Sequence, residues 1–129
     1  MMTSVRKQFH LWPGEEGHDA WDVERLIELS KGLPVSEIPL DSIGEVDTAY
    51  WFTGNGDEPT VRTIVDHMRL VHEVDPAYPI ILGADGRVMD GMHRIARALL
   101  RGETTIRAVQ FQVQPEPDHR NCSAADRYP

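Results

Sequence analysis

The chain has 129 residues, of which 40% are hydrophobic and 26% charged, a balance typical of one globular domain with its own apolar core. Its 21 acidic residues outnumber 13 basic ones, and the net charge of −8 disfavours DNA binding, which depends on neutralising phosphates. The single cysteine excludes an intramolecular disulfide, and no apolar run follows the N-terminus, so we expect a cytoplasmic protein without a signal peptide or membrane partner.

Residues 1–34 are predicted to form an N-terminal arm and a helix that packs on the core. Residues 1–18 show no hydrophobic period and are expected to be irregular. Asp19 is expected to open the helix, and Gly32 suits its C-terminal cap. The apolar side of this helix would comprise Val23, Leu26, Ile27 and Ser30.

The main domain is predicted to span residues 35–113 and to begin with a strand over 35–43. Pro39 favours an edge position or a strand end, because proline cannot donate to a β-ladder. A long loop then covers residues 44–58, and loops of this length are often functional. It carries three adjacent aromatic residues, Tyr50, Trp51 and Phe52, for which anchoring in the core is favoured over a ligand platform.

A second helix is expected to start near Pro59-Thr60 and to end at Asp75-Pro76. Its apolar residues recur at helical spacing and predict a buried stripe: Val61, Ile64, Val65, Met68 and Val71.

The following residues predict a hairpin, a third helix and a last strand. Two apolar runs, 79–82 and 88–89, flank Asp85-Gly86, a strong hairpin signal. The third helix would cover 91–100 with Met92, Ile95, Ala96 and Leu99 turned inward, and the strand would cover 104–113. Residues 114–129 form a polar tail that is expected to wrap the surface or to be mobile.

The junction between the second hairpin strand and the third helix, Asp90-Gly91-Met92-His93-Arg94, has the composition of an anion site. The first amides of a helix have no intrahelical partner, and Gly91 would let a ligand approach them closely. Arg94 could offer two parallel N–H donors to a phosphate, and His93 a further donor. In the alternative interpretation Asp90 is only an N-cap, and His93 and Arg94 are solvated.

This part of the chain resembles the core of the ParB/sulfiredoxin superfamily. The similarity rests on PIIL at 79–82, DGRVMDGMHRIARAL at 85–99 and IRAV at 106–109, with VSEIPL at 35–40 resembling the first strand of the family. It covers about residues 35–111, and residues 21–118 are also similar to a bacterial family of short ParB-like proteins. The resemblance implies a small α/β domain, a mixed sheet flanked by about three helices.

Branches of the superfamily share a nucleotide phosphate held by a Gly-x-x-Arg turn. By resemblance, Asp90, Gly91, Met92, His93 and Arg94 would bind that phosphate. ParB proteins, which bind cytidine triphosphate and DNA, have arginine where His93 stands, and sulfiredoxins have a cysteine that this motif lacks. The free serine kinase branch resembles Asp-Gly-His-His-Arg and is the nearest match, with Met92 replacing the first histidine.

The kinase branch also implies an acidic base after the first strand, for which Glu45 is the first candidate and Asp47 the second, with His93 as a further catalytic group. The leading hypothesis is an enzyme that uses a nucleoside triphosphate, with ATP preferred, and Mg²⁺ to phosphorylate a small-molecule substrate carrying a hydroxyl. The alternatives are a non-catalytic nucleotide- or DNA-linked regulatory module and a ParB-like nuclease; the net charge disfavours both.

Two weaker features are expected to be structural. His67 and His72 lie five residues apart and do not share a helix face, so no zinc pair is predicted. Arg97 and Arg101 continue from Arg94 along one helix edge and are expected to be solvated.

Overall fold

A computed structural model describes residues 9–13, 17–52 and 58–122 of the chain. Within these residues the fold is mixed α/β, with three α-helices and two β-sheets, one of which is mixed. The elements in chain order are β1 (Phe9–Pro13), β2 (His18–Asp22), α1 (Val23–Ser30), β3 (Ser36–Pro39), α2 (Val61–Glu73), β4 (Ile80–Leu82), β5 (Val88–Asp90), α3 (Met92–Leu100), β6 (Thr105–Gln110) and β7 (His119–Cys122).

The mixed sheet has the strand order β3-β6-β4-β5. β4 and β6 are parallel, with Ile81 opposite Val109, and the other two pairs are antiparallel. β3 lies at the edge and ends at Pro39, as the proline predicts. The strand is shorter than expected, because the chain turns into short 3-10 segments from Leu40 onward.

Both faces of the mixed sheet carry core side chains. Alternate residues of a strand point to opposite faces, so Ile80 and Leu82 belong to one core cluster and Ile81 to the other. The first cluster joins the sheet to α3 and to the 3-10 segments; its other members are Leu40, Ile43, Val88, Met92, Ile95, Ala98 and Ala108. The second joins the sheet to the N-terminal elements; its other members are Trp12, Trp21, Leu26, Met89, Val109 and Phe111.

The N-terminal elements correct the prediction of an irregular arm. β1 pairs with β2 as an antiparallel hairpin, so Asp19 lies in a strand and the helix begins at Val23. Asp22 is the N-cap, and its carboxylate accepts the backbone N–H of Glu24 at 2.9 Å. Burial of Trp12 against Trp21, with ring centroids 5.0 Å apart, brings the two strands into the core.

The C-terminal part returns to this hairpin. β7 pairs with β2, which makes the second sheet three-stranded in the order β1-β2-β7. Trp21 donates its indole N–H to the carbonyl of Pro115 at 2.8 Å, and Arg25 pairs with Asp118 at 3.1 Å. Residues 114–122 therefore wrap the surface, which is one of the two expectations for the C-terminal tail.

Helix α2 begins after a capping box in which Thr60 and Thr63 bond reciprocally. The prediction of a buried apolar stripe is wrong: Val61 is 82% exposed, Met68 is 53% exposed, and the buried residue of the helix is Val71. The reason is tertiary, because α2 packs mainly against α3 and most of its apolar side has no layer over it in the described part of the chain.

The hairpin and the third helix are confirmed. Gly86 turns the chain between β4 and β5 with a φ of +89°, and α3 follows directly. Met92 and Ile95 point inward as expected, but Leu99 is 45% exposed. The longest helix in the described ranges, α2, has 13 residues, and none of the described helices is long and apolar enough to cross a bilayer.

Candidate functional site

Gly91 joins β5 to α3 and has a φ of +113°, a conformation that side chains with a Cβ adopt at a cost. A Cβ at this position would lie 2.6 Å from Cγ2 of Ile80 in the neighbouring strand. Glycine is therefore required at this position by the contact with Ile80 of the same chain, and not by the approach of a ligand. No side chain caps α3 at this glycine, so Asp90 is not the N-cap, and the first-turn amides lack a side-chain cap.

Asp90 and Arg94 form a partly buried ion pair. Nη2 of Arg94 lies 2.8 Å from Oδ2 of Asp90, and the two side chains are 15% and 20% exposed. Nη1 of Arg94 donates to the carbonyls of Tyr78 and Pro79 at 3.1 and 2.8 Å. Burial raises the pKa of Asp90, and the guanidinium of Arg94 opposes that rise. Arg94 therefore ties α3 to the end of the α2–β4 connection.

His93 pairs with a residue that the sequence did not indicate. Its Nε2 lies 2.9 Å from Nδ1 of His67 on α2, and the ring centroids are 5.1 Å apart, so the two imidazoles meet edge to edge. The indole of Trp51 lies over both, at 4.3 and 4.8 Å and nearly parallel to each. Burial, with smaller contributions from His67 and Arg94, lowers the pKa of His93 to about 4.

The side chains of the predicted motif diverge. Successive helix residues point about 100° apart, so Met92, His93 and Arg94 enter three different surroundings. Met92 borders an apolar cavity, His93 meets His67, and Arg94 meets the α2–β4 connection. A ligand could therefore contact the motif as a whole only through its backbone, at the first turn of α3.

The cavity beside Met92 has a volume of about 280 Å³ and lies between residues 45–52 and α3. Its walls are aromatic and aliphatic, and one carboxyl group borders it. The lining residues are Glu45, Val46, Thr48, Ala49, Tyr50, Trp51, Phe52, Met92, Ile95, Ala96 and Leu99. Tyr50 and Trp51 also pack against the first core cluster, so they act as anchors and as cavity walls together.

Glu45 contributes to this cavity and also to the sheet edge. Its Oε1 accepts the backbone N–H of Val88 at 2.8 Å, and the hydroxyl of Tyr50 donates to the carbonyl of Val88 at 3.4 Å. These bonds cover an outer edge of β5. Burial raises the pKa of Glu45, and burial together with the charges of Glu45 and Asp90 raises the pKa of Tyr50. Asp47, the second candidate base, is exposed and does not line the cavity.

The sequence missed the role of His67 because its partner lies 26 residues away on another helix. Its helical spacing from His72 gave no sign of a pair, since the contact depends on how α2 packs on α3. Among the residues that the structure describes, no group of three or more His, Cys, Asp or Glu side chains could hold a metal ion.

Comparisons with known proteins leave the family open. A curated arginase from Glycine max is 28% identical to this chain over 102 residues, which is 79% of this chain and 25% of that protein. The chain thus spans about a quarter of the length of that relative. No family model matches the chain, and no solved structure matches it.

Proposed function

We propose that this chain is a ParB/sulfiredoxin-like domain that binds a nucleoside triphosphate, with ATP preferred, and transfers a phosphoryl group to a small hydroxyl compound. The observation that carries the proposal is the aromatic cavity of about 280 Å³, bordered by Glu45, beside the first turn of α3. The resemblance of residues 35–111 to nucleotide-binding domains supports the same choice of ligand.

The cavity suits one planar, weakly polar group better than a whole nucleotide. Ligand pockets typically measure roughly 300–1,000 Å³, so about 280 Å³ accommodates a nucleobase and leaves the phosphates outside. Tyr50, Trp51 and Phe52 supply aromatic surface on which a base can stack. The phosphates would then extend toward the uncapped amides at the start of α3, where the helix dipole favours negative charge.

The donor set is compatible with Mg²⁺ that arrives with the phosphates. Mg²⁺ is commonly held by one or two carboxylates, waters and the phosphates themselves. Oε1 of Glu45 is bonded to Val88, which leaves Oε2 to accept a substrate proton, and Asp90 is paired with Arg94. Mg²⁺ would therefore be held mainly by the phosphates and by water. The ion would neutralise charge on the transferring phosphoryl group.

Glu45 is the proposed base. A substrate hydroxyl would attack the terminal phosphorus, its proton would pass to the carboxylate of Glu45, and the nucleoside diphosphate would leave. Partial burial raises the pKa of this carboxyl, which makes the carboxylate a better proton acceptor than an exposed one. His93, buried against His67 and Trp51, would support the turn and is not placed to accept that proton.

Binding is tested by thermal unfolding with ATP and other nucleotides, with and without Mg²⁺. A ligand at about 100 times its Kd should stabilise the chain by about 2.7 kcal/mol. Ala96→Phe fills the cavity and should abolish the shift, while the control Leu100→Phe changes an exposed position outside it and should preserve the shift. Equal shifts in both variants, or no shift with any nucleotide, would reject the cavity as the binding site.

A second candidate is a nucleotide-binding module without catalysis. It is favoured by the bonds that Glu45 and Arg94 already make to their own chain. The kinase and the non-catalytic module are distinguished by measuring nucleoside diphosphate release in the presence of a panel of hydroxyl compounds. Turnover that Glu45→Gln removes without weakening nucleotide binding supports the kinase, and binding without turnover supports the module.

The net charge argues against DNA as the ligand of either candidate. We expect a fluorescent duplex to bind weakly at about 50 mM salt and not at all at about 200 mM. Tight binding that persists at the higher concentration would favour the DNA-linked module instead.

A further inference from the structure

We propose that Arg97 and Arg107 form a second site, which binds a phosphate group on the side of α3 opposite the aromatic cavity. The two arginines border a small cavity of about 50 Å³ between α3, β6 and the α2–β4 connection. Its lining residues are Pro76, Tyr78, Arg94, Arg97, Ala98, Glu103, Ile106 and Arg107. The site goes beyond the proposed function, because it shares no lining residue with the aromatic cavity.

The two arginines are held in place by uncharged groups. Arg97 donates to the carbonyl of His72 at 3.0 Å, and Arg107 donates to the carbonyl of Ala77. Each of these bonds uses one N–H of a guanidinium that has several, arranged as a planar fork. Each guanidinium keeps its charge and its other N–H donors. These donors are pre-positioned, because the bond to the carbonyl already fixes the long side chain.

Neither arginine has a carboxylate partner within residues 9–13, 17–52 and 58–122. This differs from the other arginines that pair with acids in this acidic chain: Arg25, Arg69, Arg87, Arg94 and Arg120. Glu103 borders the cavity without an ion pair to either. Arg94 also borders the cavity, and its charge is balanced by Asp90. Two guanidinium groups therefore line one shared space, in which Glu103 is the one carboxylate of the lining. Glu37 stands opposite Arg107 in the β3–β6 pair, but its carboxylate accepts the hydroxyl of Thr105.

The size of the space indicates the class of ligand. One water needs roughly 10–15 Å³ of cavity space, so about 50 Å³ holds on the order of four water-sized groups. That suits one tetrahedral oxyanion and is too small for a nucleoside. Guanidinium forks bind phosphate through parallel N–H donors. The phosphate would be free or the end group of a small phosphomonoester, whose remainder would extend past exposed Tyr78 into solvent.

The test is a calorimetric titration of the full chain with inorganic phosphate at low ionic strength. Arg97→Gln and Arg107→Gln should each weaken binding about tenfold, because each removes a charged hydrogen-bond donor. The matched control is Arg101→Gln, on the same edge of α3 but outside the cavity lining, which should change the affinity less than twofold. Equal weakening in all three variants would indicate a diffuse charge effect and overturn the site.

A second variant keeps the test valid if loss of an arginine loosens the α2–β4 connection. Glu103→Gln leaves both arginine–carbonyl bonds intact and removes the opposing charge, so it should tighten phosphate binding several-fold. No change in this variant would overturn the proposal. Acetate that binds as tightly as phosphate would overturn the assignment to phosphate. Stronger binding of glycerol phosphate than of inorganic phosphate assigns the site to a phosphomonoester, and the reverse order assigns it to free phosphate.

Discussion

The two sides of α3 satisfy their polar groups in different ways. Toward residues 45–52 the helix presents Met92, Ile95 and Ala96 to an aromatic cavity, and the nearby carboxylate of Glu45 bonds a strand edge. On the opposite side Arg94 donates to main-chain carbonyls of the α2–β4 connection, and Arg97 donates to the carbonyl of His72 in the last turn of α2. A helix of nine residues thus separates an apolar pocket from a cationic one, because residues three and four apart share a side.

The largest effect is expected at Gly91, where both sides of α3 begin. Gly91→Ala should lower the free energy of unfolding by about 3 kcal/mol, since a left-handed residue costs roughly 1–2 kcal/mol and overpacking against Ile80 adds a similar amount. Gly102→Ala is the control: its φ is +74° but its Cβ meets open space, so it should cost about 1 kcal/mol. Urea unfolding measures both. Equal losses would mean that contact with Ile80 does not require the glycine.

The cationic side is tested by Arg94→Met, which leaves the carboxylate of Asp90 partly buried and unpaired. Breaking a fully buried pair costs about 3–5 kcal/mol, and for these partly exposed side chains we expect about 2 kcal/mol. Arg101→Met, at an exposed position, should change stability by less than about 0.5 kcal/mol. Similar small changes in the two variants would show that Arg94 does not hold the α2–β4 connection in place.

The contact between α2 and α3, which Trp51 of the cavity wall covers, is tested by pH through His93. The folded chain keeps His93 neutral down to about pH 4, whereas the unfolded chain protonates it near its ordinary value of 6.5. The unfolded state therefore binds more protons between these values, and stability should fall as pH drops through that window. We expect a loss on the order of 1–2 kcal/mol after allowing for partial exposure.

His93→Gln removes this titration and keeps a polar amide that can donate to or accept from His67. Its unfolding free energy, measured in urea from pH 7.5 to 4.5, should fall less steeply than that of the unsubstituted chain. The comparison at pH 7.5 isolates the cost of the lost ring contacts with Trp51. Parallel pH profiles for the two chains would mean that the ring is not shielded by the α2–α3 contact.

The smallest effect is expected for Glu45→Gln. Burial raises the pKa of Glu45, so the unfolded state releases this proton at lower pH than the folded one, and stability falls as pH rises from 4.5 through the folded pKa. The glutamine oxygen can still accept the N–H of Val88. The variant should therefore be slightly more stable at pH 7, with a gain that disappears below pH 4.5. A loss at pH 7 would show that the strand edge needs the charged acceptor.

The residues of the Gly-x-x-Arg motif at 91–94 make different kinds of contact in the structure, although their sequence pattern predicts a single ligand site. A Gly-x-x-Arg pattern indicates one convergent site, yet here Gly91 is required by Ile80, Arg94 is bonded to Asp90 and to two carbonyls, and only the helix-start amides remain in common. Glu45, chosen as a base from its place after the first strand, borders the cavity; Asp47, two residues on, is exposed away from it.

Local sequence signals are sufficient to predict the elements of residues 79–110, because turn glycines and apolar periods act over a few residues. These elements are the β4–β5 hairpin, α3 and β6. Packing between distant segments decided the rest. Trp12 meets Trp21 and makes a hairpin of the expected arm, the apolar side of α2 stays exposed, and His67 meets His93 across two helices. Those contacts have no sequence signal, because a period reports which residues share a face and not what, if anything, will cover it.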